Sequence, residues 1–440
     1  MTARLLSLGL AYAFLDGEWT LPAMRARAQL ALEARPRWLR PLCLRVLKAF
    51  PAPPAEADDL AAFIARDHAL PAEWQPDAPR VRRWFVPETR MARVEGPPAA
   101  FAVPAIASTG ALAEALGVPV ASLQWFADVQ QRNLRVPEEA LRHYRFRWLA
   151  KRSGGYRLLE TPKPRIKRIQ RWLLRSILAN VPPESSAHGF VSRRSVLSFV
   201  APHVGQRVVL RLDLEDFFAT ITLARVRAIF LRLGYPRRVA QALACLCCTA
   251  SPESVLRASP ERDPRERFTA IQRLRDRHLP QGAPTSPALS NLVAYRLDRR
   301  LAGLARKANV QYTRYADDLA FSGNRELDRS VDRFIARVGA IVIEEGFRIR
   351  FRKIRVMRSG ARQQLGGLVV NARANVPRRA YDSLRAELCN AARHGADSQN
   401  RANLADYRAH LQGRIAWIAA THSKRAERLR SLFDRIDWSR

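Results

Sequence analysis

The chain has 440 residues and 48% hydrophobic content, enough to build packed cores in roughly two to four domains and too much for a disordered tail. Lys and Arg number 75 against 40 Asp and Glu, and the formal net charge of +35 is spread over most of the chain, which points to a polyanionic partner. Five cysteines, an odd count without framework spacing, argue against a disulfide scaffold and suit the cytoplasm.

Leu5 to Leu10 is an apolar run too short for a secretory core. No stretch reaches the roughly 18 to 20 apolar residues that span a bilayer, so no membrane association is expected. Pro51-Ala52-Pro53-Pro54 and Gly96-Pro97-Pro98 read as linkers, fencing off a mainly helical extension over residues 1–107. A capped helix starts at Ser108 and closes at Gly117, and a second amphipathic segment runs from Val120 to about Gln131. Tyr144 to Leu159 carries aromatic and branched residues around Ser153-Gly154-Gly155, whose glycines suit a hairpin turn. The next segment, Arg165 to Ala179, has helical spacing: Ile166, Ile169, Leu173 and Ile177 share one face, while Lys167, Arg171 and Arg175 share another. Pro162 to Arg175 holds six basic residues and no acid, so this second face lacks ion-pair partners and is expected to meet phosphate.

A strand is expected over Val208–Asp213, followed by helices, a polar Arg-rich stretch over Ser251–His278, a helix after Pro287 and a strand pair about Asp317-Asp318. Cys245, Cys247 and Cys248 follow the apolar helical run Val239–Leu246 and have no paired ligands nearby, so they read as buried thiols rather than a zinc site. Residues 346–364 hold seven basic residues and no acid, alternating with apolar ones, which fits a β-ribbon with one face towards nucleic-acid backbone. From Pro377 onward the pattern is helical.

The chemistry concentrates in three segments. Val208-Val209-Leu210-Arg211-Leu212-Asp213 is a branched run ending in a carboxylate, placed to project from a strand end into a cleft. Tyr312 to Ser322 consists of two short apolar strands around Asp317-Asp318. Neighbouring side chains on a strand point to opposite faces, so these two carboxylates converge only at a hairpin turn. Three acids from two strands match what phosphoryl transfer needs: hard oxygen ligands for two Mg²⁺ ions roughly 3.5 to 4 Å apart. Leu279 to Asn291 is a Gly/Pro-shaped loop leading into a helix, and its backbone amides can approach a nucleotide closely.

In order, D-x-x-x-F-F (Asp213 to Phe218), Q-G-x-x-x-S-P-x-x-x-N (Gln281 to Asn291) and Tyr315-Ala316-Asp317-Asp318 resemble the palm motifs of reverse transcriptases. The wording of Gln281 to Asn291 resembles bacterial retron-type enzymes, as does Lys151-Arg152-Ser153-Gly154-Gly155-Tyr156-Arg157 leading to Pro162 and Gln170. The resemblance covers about residues 110–440. It implies an α+β right-hand polymerase: N-terminal helices and fingers over 108–207, palm with inserted fingers elements over 208–376 and a helical thumb over 377–440. It implies an RNA-directed DNA polymerase with Asp213 and Asp317 as main metal ligands, Asp318 as supporting acid and the Leu214 carbonyl as a further ligand to two Mg²⁺ ions.

Phe218 falls at the family's sugar gate, where a bulky ring leaves no room for a 2′-hydroxyl. Gln281 matches the contact to the incoming nucleotide, Arg157 and Lys167 the contacts to its triphosphate, and Lys353 the lysine that helps protonate pyrophosphate. Arg168, Arg171, Arg175, Arg348, Arg350 and Arg352 are the expected nucleic-acid contacts. The implied partners are a structured non-coding RNA as template and primer, its DNA product, dNTPs and an effector protein in antiphage defence. Phe199-Val200 stand where the family carries Asn-Ala before its histidine, here His203, and Leu365-Gly366-Gly367 stands where V-T-G is typical, as in a divergent branch.

Alternatives are a group II intron-like enzyme that assists splicing, against which the chain shows no evident maturase or endonuclease segment, and a silent RNA-binding scaffold, against which all three acids are present. An RNA-dependent RNA polymerase fits less well with Phe218 and the Tyr-Ala-Asp-Asp wording.

Overall fold

The computed structural model describes residues 3–54, 57–67, 80–85, 91, 101–136, 138–151 and 154–438, which fall into two compact units, Met1–Arg90 and Met91–Arg440. The linker read at Gly96-Pro97-Pro98 lies outside the described residues, as do Arg152 and Ser153.

In the first unit, helices Ala3–Leu15, Leu21–Leu32, Leu39–Ala49 and Ala57–Ala65 bury Leu10, Phe14, Met24, Leu42, Leu60 and Ile64 in a core of their own. The apolar run Leu5–Leu10 belongs to the first of these helices, with Leu6 and Leu10 buried. Among the described residues no helix is long and apolar enough to cross a membrane.

The second unit begins earlier than the boundary expected at residue 107. Ile106 lies in its core, and Tyr235 donates to the Pro104 carbonyl at 3.1 Å. Helices Thr109–Ala115, capped by Ser108, and Val120–Ala127 precede a hairpin of β1 (Tyr144–Ala150) and β2 (Tyr156–Pro162). Gly154 and Gly155 turn it with φ of 87° and 71°, which a residue with a Cβ adopts only under strain. Helix Pro164–Ser176 buries Ile166, Ile169 and Leu173, then tightens to a 3₁₀ turn at Leu178–Asn180, ending sooner than its periodicity suggests. Arg168, Arg171 and Arg175 face solvent, and Lys167 is half-buried.

β3 (Val208–Asp213), β4 (Gln311–Tyr315), β5 (Asp318–Gly323) and β6 (Arg355–Arg358) form an antiparallel sheet in the order β4-β5-β3-β6. Alternation decides its two faces. Val208, Leu210, Leu212, Leu319 and Phe321 enter the main helical core, whereas Val209 and Ala320 enter a second core built with helices Arg378–His394, Tyr407–Ala419 and Ser423–Phe433. Each fully buried leucine or phenylalanine contributes about 1.5 to 3 kcal/mol. Arg211, Asp213 and Asp318 therefore share the sheet face of Val209 and Ala320.

One expectation is corrected. Residues 346–364 do not form a ribbon. Ile349 bridges Leu214, Phe351–Lys353 is a 3₁₀ turn and Arg355–Arg358 is the edge strand β6, so the alternating pattern is spent on docking against β3. A two-residue pairing of β7 (Gln364–Leu365) and β8 (Leu368–Val369) follows. The Arg-rich stretch over Ser251–His278 is largely helical, at Glu253–Arg257 and Pro264–Arg275. Asp263 caps the second helix by accepting from the amides of Arg265 and Glu266, with Pro264 at its first position.

Candidate active site

The register of β3 against β5 sets Asp213 directly opposite Asp318, and the Leu214 amide donates to the Asp317 carbonyl at 2.8 Å. Asp317 occupies the β4–β5 turn just after Ala316, which holds φ at 56°. The turn is braced from below by residues 186–190: the His188 amide donates to the Arg314 carbonyl and the Arg314 amide to the Ser186 carbonyl. Gly189 is required there, since a Cβ on it would lie 2.5 Å from the Ala316 nitrogen. Its carbonyl accepts from the Asn291 side chain at 2.9 Å, so the Gln281–Asn291 motif reaches this turn through Gly189, as the Asp213 motif reaches it through Leu214.

Each acid has a different electrostatic setting. Lys353 Nζ lies 3.0 Å from both Asp213 oxygens, with Arg350 Nε at 4.0 Å. Arg211 donates to Asp318 through Nε at 3.0 Å and Nη2 at 2.7 and 2.8 Å. Burial raises the pKa of Asp318, and Arg211 pulls it back. Burial, with Asp318 and Asp213 close by, pushes Asp317 up to about 6. Among the described residues no three His, Cys, Asp or Glu side chains stand as a metal cluster; the carboxylates of Asp213 and Asp318 are turned towards Lys353 and Arg211. The donor chemistry still suits a hard divalent cation, because Asp213 and Asp317 are close enough for mutual repulsion to raise the pKa of Asp317.

Around the acids, Arg350 reaches Asp216 at 3.2 Å, and Arg273 bonds Asp216 and, at 3.3 Å, Glu215. Burial lowers the pKa of Lys151, which also feels Asp216, Arg350, Arg157 and Lys353, so the β1–β2 hairpin brings two cations to the same cleft. Arg157 itself is exposed on β2. Phe218 is half-buried, its ring 5.7 Å from Phe217 and 6.1 Å from the exposed Phe190. Arg348 and Arg352 are exposed.

The Gln281 loop is tied to β2 through Glu160, whose amide donates to the Gln281 carbonyl at 2.9 Å. The buried Glu160 carboxylate also accepts from Ser251 at 2.9 Å and pairs with His278 Nε2 at 2.9 Å. Burial disfavours the His278 imidazolium, yet the pull of Glu160 leaves its pKa raised. Gly282 passes so close to β2 that a Cβ would sit 3.0 Å from the Glu160 carbonyl oxygen.

Asp213, Leu214, Asp317, Asp318, Lys353 and Arg350 thus come together, with Arg157 at the rim. Lys167, Arg168, Arg171 and Arg175 lie on a separate helix. Sequence reasoning missed the roles of Arg211, Asp216, Arg273, Glu160 and His278. Of these only Arg211 had a local signal, its place two residues before Asp213 on the same strand face. The cysteines Cys245, Cys247 and Cys248 are buried free thiols.

Residues 149–381 match the family model for reverse transcriptase (RNA-dependent DNA polymerase). The chain is 42% identical over 325 residues to retron Mx65 reverse transcriptase of Myxococcus xanthus, covering 72% of this chain and 69% of that protein. It is 38% identical over 297 residues to retron Mx162 reverse transcriptase of the same organism, covering 64% of this chain and 58% of that one. Retron Ec86 reverse transcriptase of Escherichia coli is 28% identical over 282 residues, 64% of this chain and 77% of that protein. With the motifs converging on one braced turn and the match extending over most of the second unit, the chain belongs to the retron-type reverse transcriptases, which are RNA-directed DNA polymerases.

Proposed function

We propose that this polymerase copies part of a structured non-coding RNA into DNA by two-metal nucleotidyl transfer, in the service of antiphage defence. The carrying observation is the register that sets Asp213 opposite Asp318 and ties Leu214 to Asp317, whose carboxyl burial and the neighbouring acids hold at a pKa of about 6. Such a pair is stabilised by a divalent cation more than by water. Asp213, Asp317 and the Leu214 carbonyl would hold the two Mg²⁺ ions, with Asp318 as supporting acid. Bound there, the metals supply Lewis-acid activation of the 3′-hydroxyl and charge neutralisation of the leaving pyrophosphate.

The chain's own groups do the positioning. Lys353, Arg157 and Lys167 meet the triphosphate, and Lys353 has a proton to give to pyrophosphate. Gln281, held by Glu160, contacts the incoming nucleotide. Phe218 excludes a 2′-hydroxyl. Arg168, Arg171, Arg175, Arg348, Arg350 and Arg352 track nucleic-acid backbone. In this reading the β1–β2 hairpin and helix 164–176 belong to the fingers, the four-stranded sheet to the palm and the last three helices to the thumb.

The test is expression with flanking genomic DNA and sequencing of co-purified nucleic acid, beside an Asp317→Ala/Asp318→Ala variant. Discrete DNA joined to one RNA, absent from the variant, is the expected result. One RNA retained by both proteins without DNA would instead favour a scaffold, and primed extension with dNTPs or NTPs would then report whether the site is alive.

A further inference from the structure

Three carboxylates meet in this site, yet they are not equivalent. Arg211 and Asp213 lie two residues apart on β3 and share a face, and Asp318 stands opposite Asp213 on β5, which makes Arg211 and Asp318 diagonal neighbours by register. The guanidinium engages both Asp318 oxygens, at 2.7 and 2.8 Å, with Nε adding a contact at 3.0 Å. A planar fork of this kind fixes the carboxylate plane as well as its charge. Lys353 reaches Asp213 differently, through one ammonium on a flexible stem; the two cationic side chains are equally exposed, at 38%, so the difference lies in their geometry. A compact ammonium can swing away when another cation arrives, whereas a pre-organised fork has more to lose.

We infer that Arg211 is a positioning residue of the metal site: it holds Asp318 out of the donor set, so that Asp213 and Asp317 are the acids that meet the first divalent cation. The inference rests on the proposed metal-binding role of those acids. It follows that Asp318 acts mainly through Arg211, and that removing the guanidinium both frees a carboxylate and makes the site more negative by one charge.

The experiment is Mn²⁺ binding to the full chain without substrate, read from the electron paramagnetic resonance signal of free Mn²⁺ at fixed pH and low salt. Arg211→Gln should bind about tenfold more tightly than wild type, and Asp318→Asn, which leaves the guanidinium unpaired beside the site, more weakly by a similar factor. Arg211→Lys should fall between wild type and Arg211→Gln. The charge-balanced double variant Arg211→Gln/Asp318→Asn should bind within about twofold of wild type, because Asp318 is not a donor. Loss of Mn²⁺ binding in the double variant would overturn the inference, as would an unchanged or weaker affinity in a folded Arg211→Gln; if Arg211→Gln does not fold, abolished rather than weakened binding in Asp318→Asn overturns it. Asp213→Asn separates the two ideas: Mn²⁺ binding that survives this change removes the proposed metal site and the partition with it, while binding lost in both Asp213→Asn and the double variant removes only the partition.

Discussion

Arg314 and Asp298 form an ion pair with no exposed side-chain surface, and the same guanidinium donates to the Ala316 carbonyl at 2.9 Å, gripping the turn one residue before Asp317. Tyr312 completes the shell by donating to Asp298 at 2.8 Å. A buried charge left alone is costly, so Asp298→Ala should destabilise the second unit by about 3 to 5 kcal/mol. Polymerase activity should fall with it, because the turn loses its anchor. Replacing both partners, Asp298→Leu with Arg314→Met, should cost less than the sum of the single changes. Thermal melts of wild type, Asp298→Leu, Arg314→Met and the double variant measure this, and additive losses would count against a coupled pair.

Glu160 leads to a prediction of a different kind. Its carboxylate joins Ser251 and His278 beneath the Gln281 loop, and its amide sets that loop's register against β2. Glu160→Gln preserves the shape and some of the hydrogen bonds while removing the charge that holds His278. The expected result is a raised KM for dNTPs with kcat changed much less, since the nucleotide contact loosens while the acids stay in place. Steady-state extension at varied dNTP concentration reads the split. A fall in kcat alone would show that the cluster serves the sheet rather than the loop.

The groups named in these two predictions mark where the sequence stopped being informative. β3 from Val208 to Asp213, the turn at Asp317 and the hairpin at Gly154-Gly155 could be read because their signals are local: alternation, an acid at a strand end, glycines between branched runs. The partners of those residues could not. Arg211 and Asp318 are 107 residues apart, and Glu160 and His278 are 118 apart, with no periodicity to connect them. Residues 346–364 misled for a related reason. The alternation of Arg348, Ile349, Arg350 and Phe351 is genuine, but it records one buried residue against Leu214 and one arginine, Arg350, drawn towards acids, which a ribbon and a docked edge segment express alike.

The exposed arginines of helix Pro164–Ser176 should reveal themselves through salt. If Arg168, Arg171 and Arg175 each neutralise one phosphate, the triple Gln variant should bind RNA with a log–log salt slope shallower by about 2 to 3. Affinity should fall for all sequences alike, and the fold should hold, because the buried face of Ile166, Ile169 and Leu173 is untouched. Fluorescence anisotropy across a salt series decides it. An unchanged slope would mean that this face points away from the nucleic acid.

Asp317 ties stability to pH with a sign opposite to that of an ordinary salt-bridged acid. Its folded pKa stands at about 6 against a usual 3.8, because burial and the neighbouring Asp318 and Asp213 disfavour its charge. The folded state therefore holds this proton more tightly than the unfolded chain, and the stability it contributes is present at low pH and lost as pH rises from 3.8 through about 6. Above that window the metal-free protein carries a penalty of up to about 3 kcal/mol. Asp317→Asn removes the ionisable group, so in EDTA the variant should melt above wild type at pH 7.5, with the gap closing towards pH 4.5. Adding Mg²⁺ at pH 7.5 should raise the wild-type melting temperature more than that of the variant, since only wild type has the charge for the metal to offset. Equal melting temperatures in EDTA at both pH values would show that Asp317 is not held under electrostatic strain. The metal would then have to be drawn by Asp213 alone.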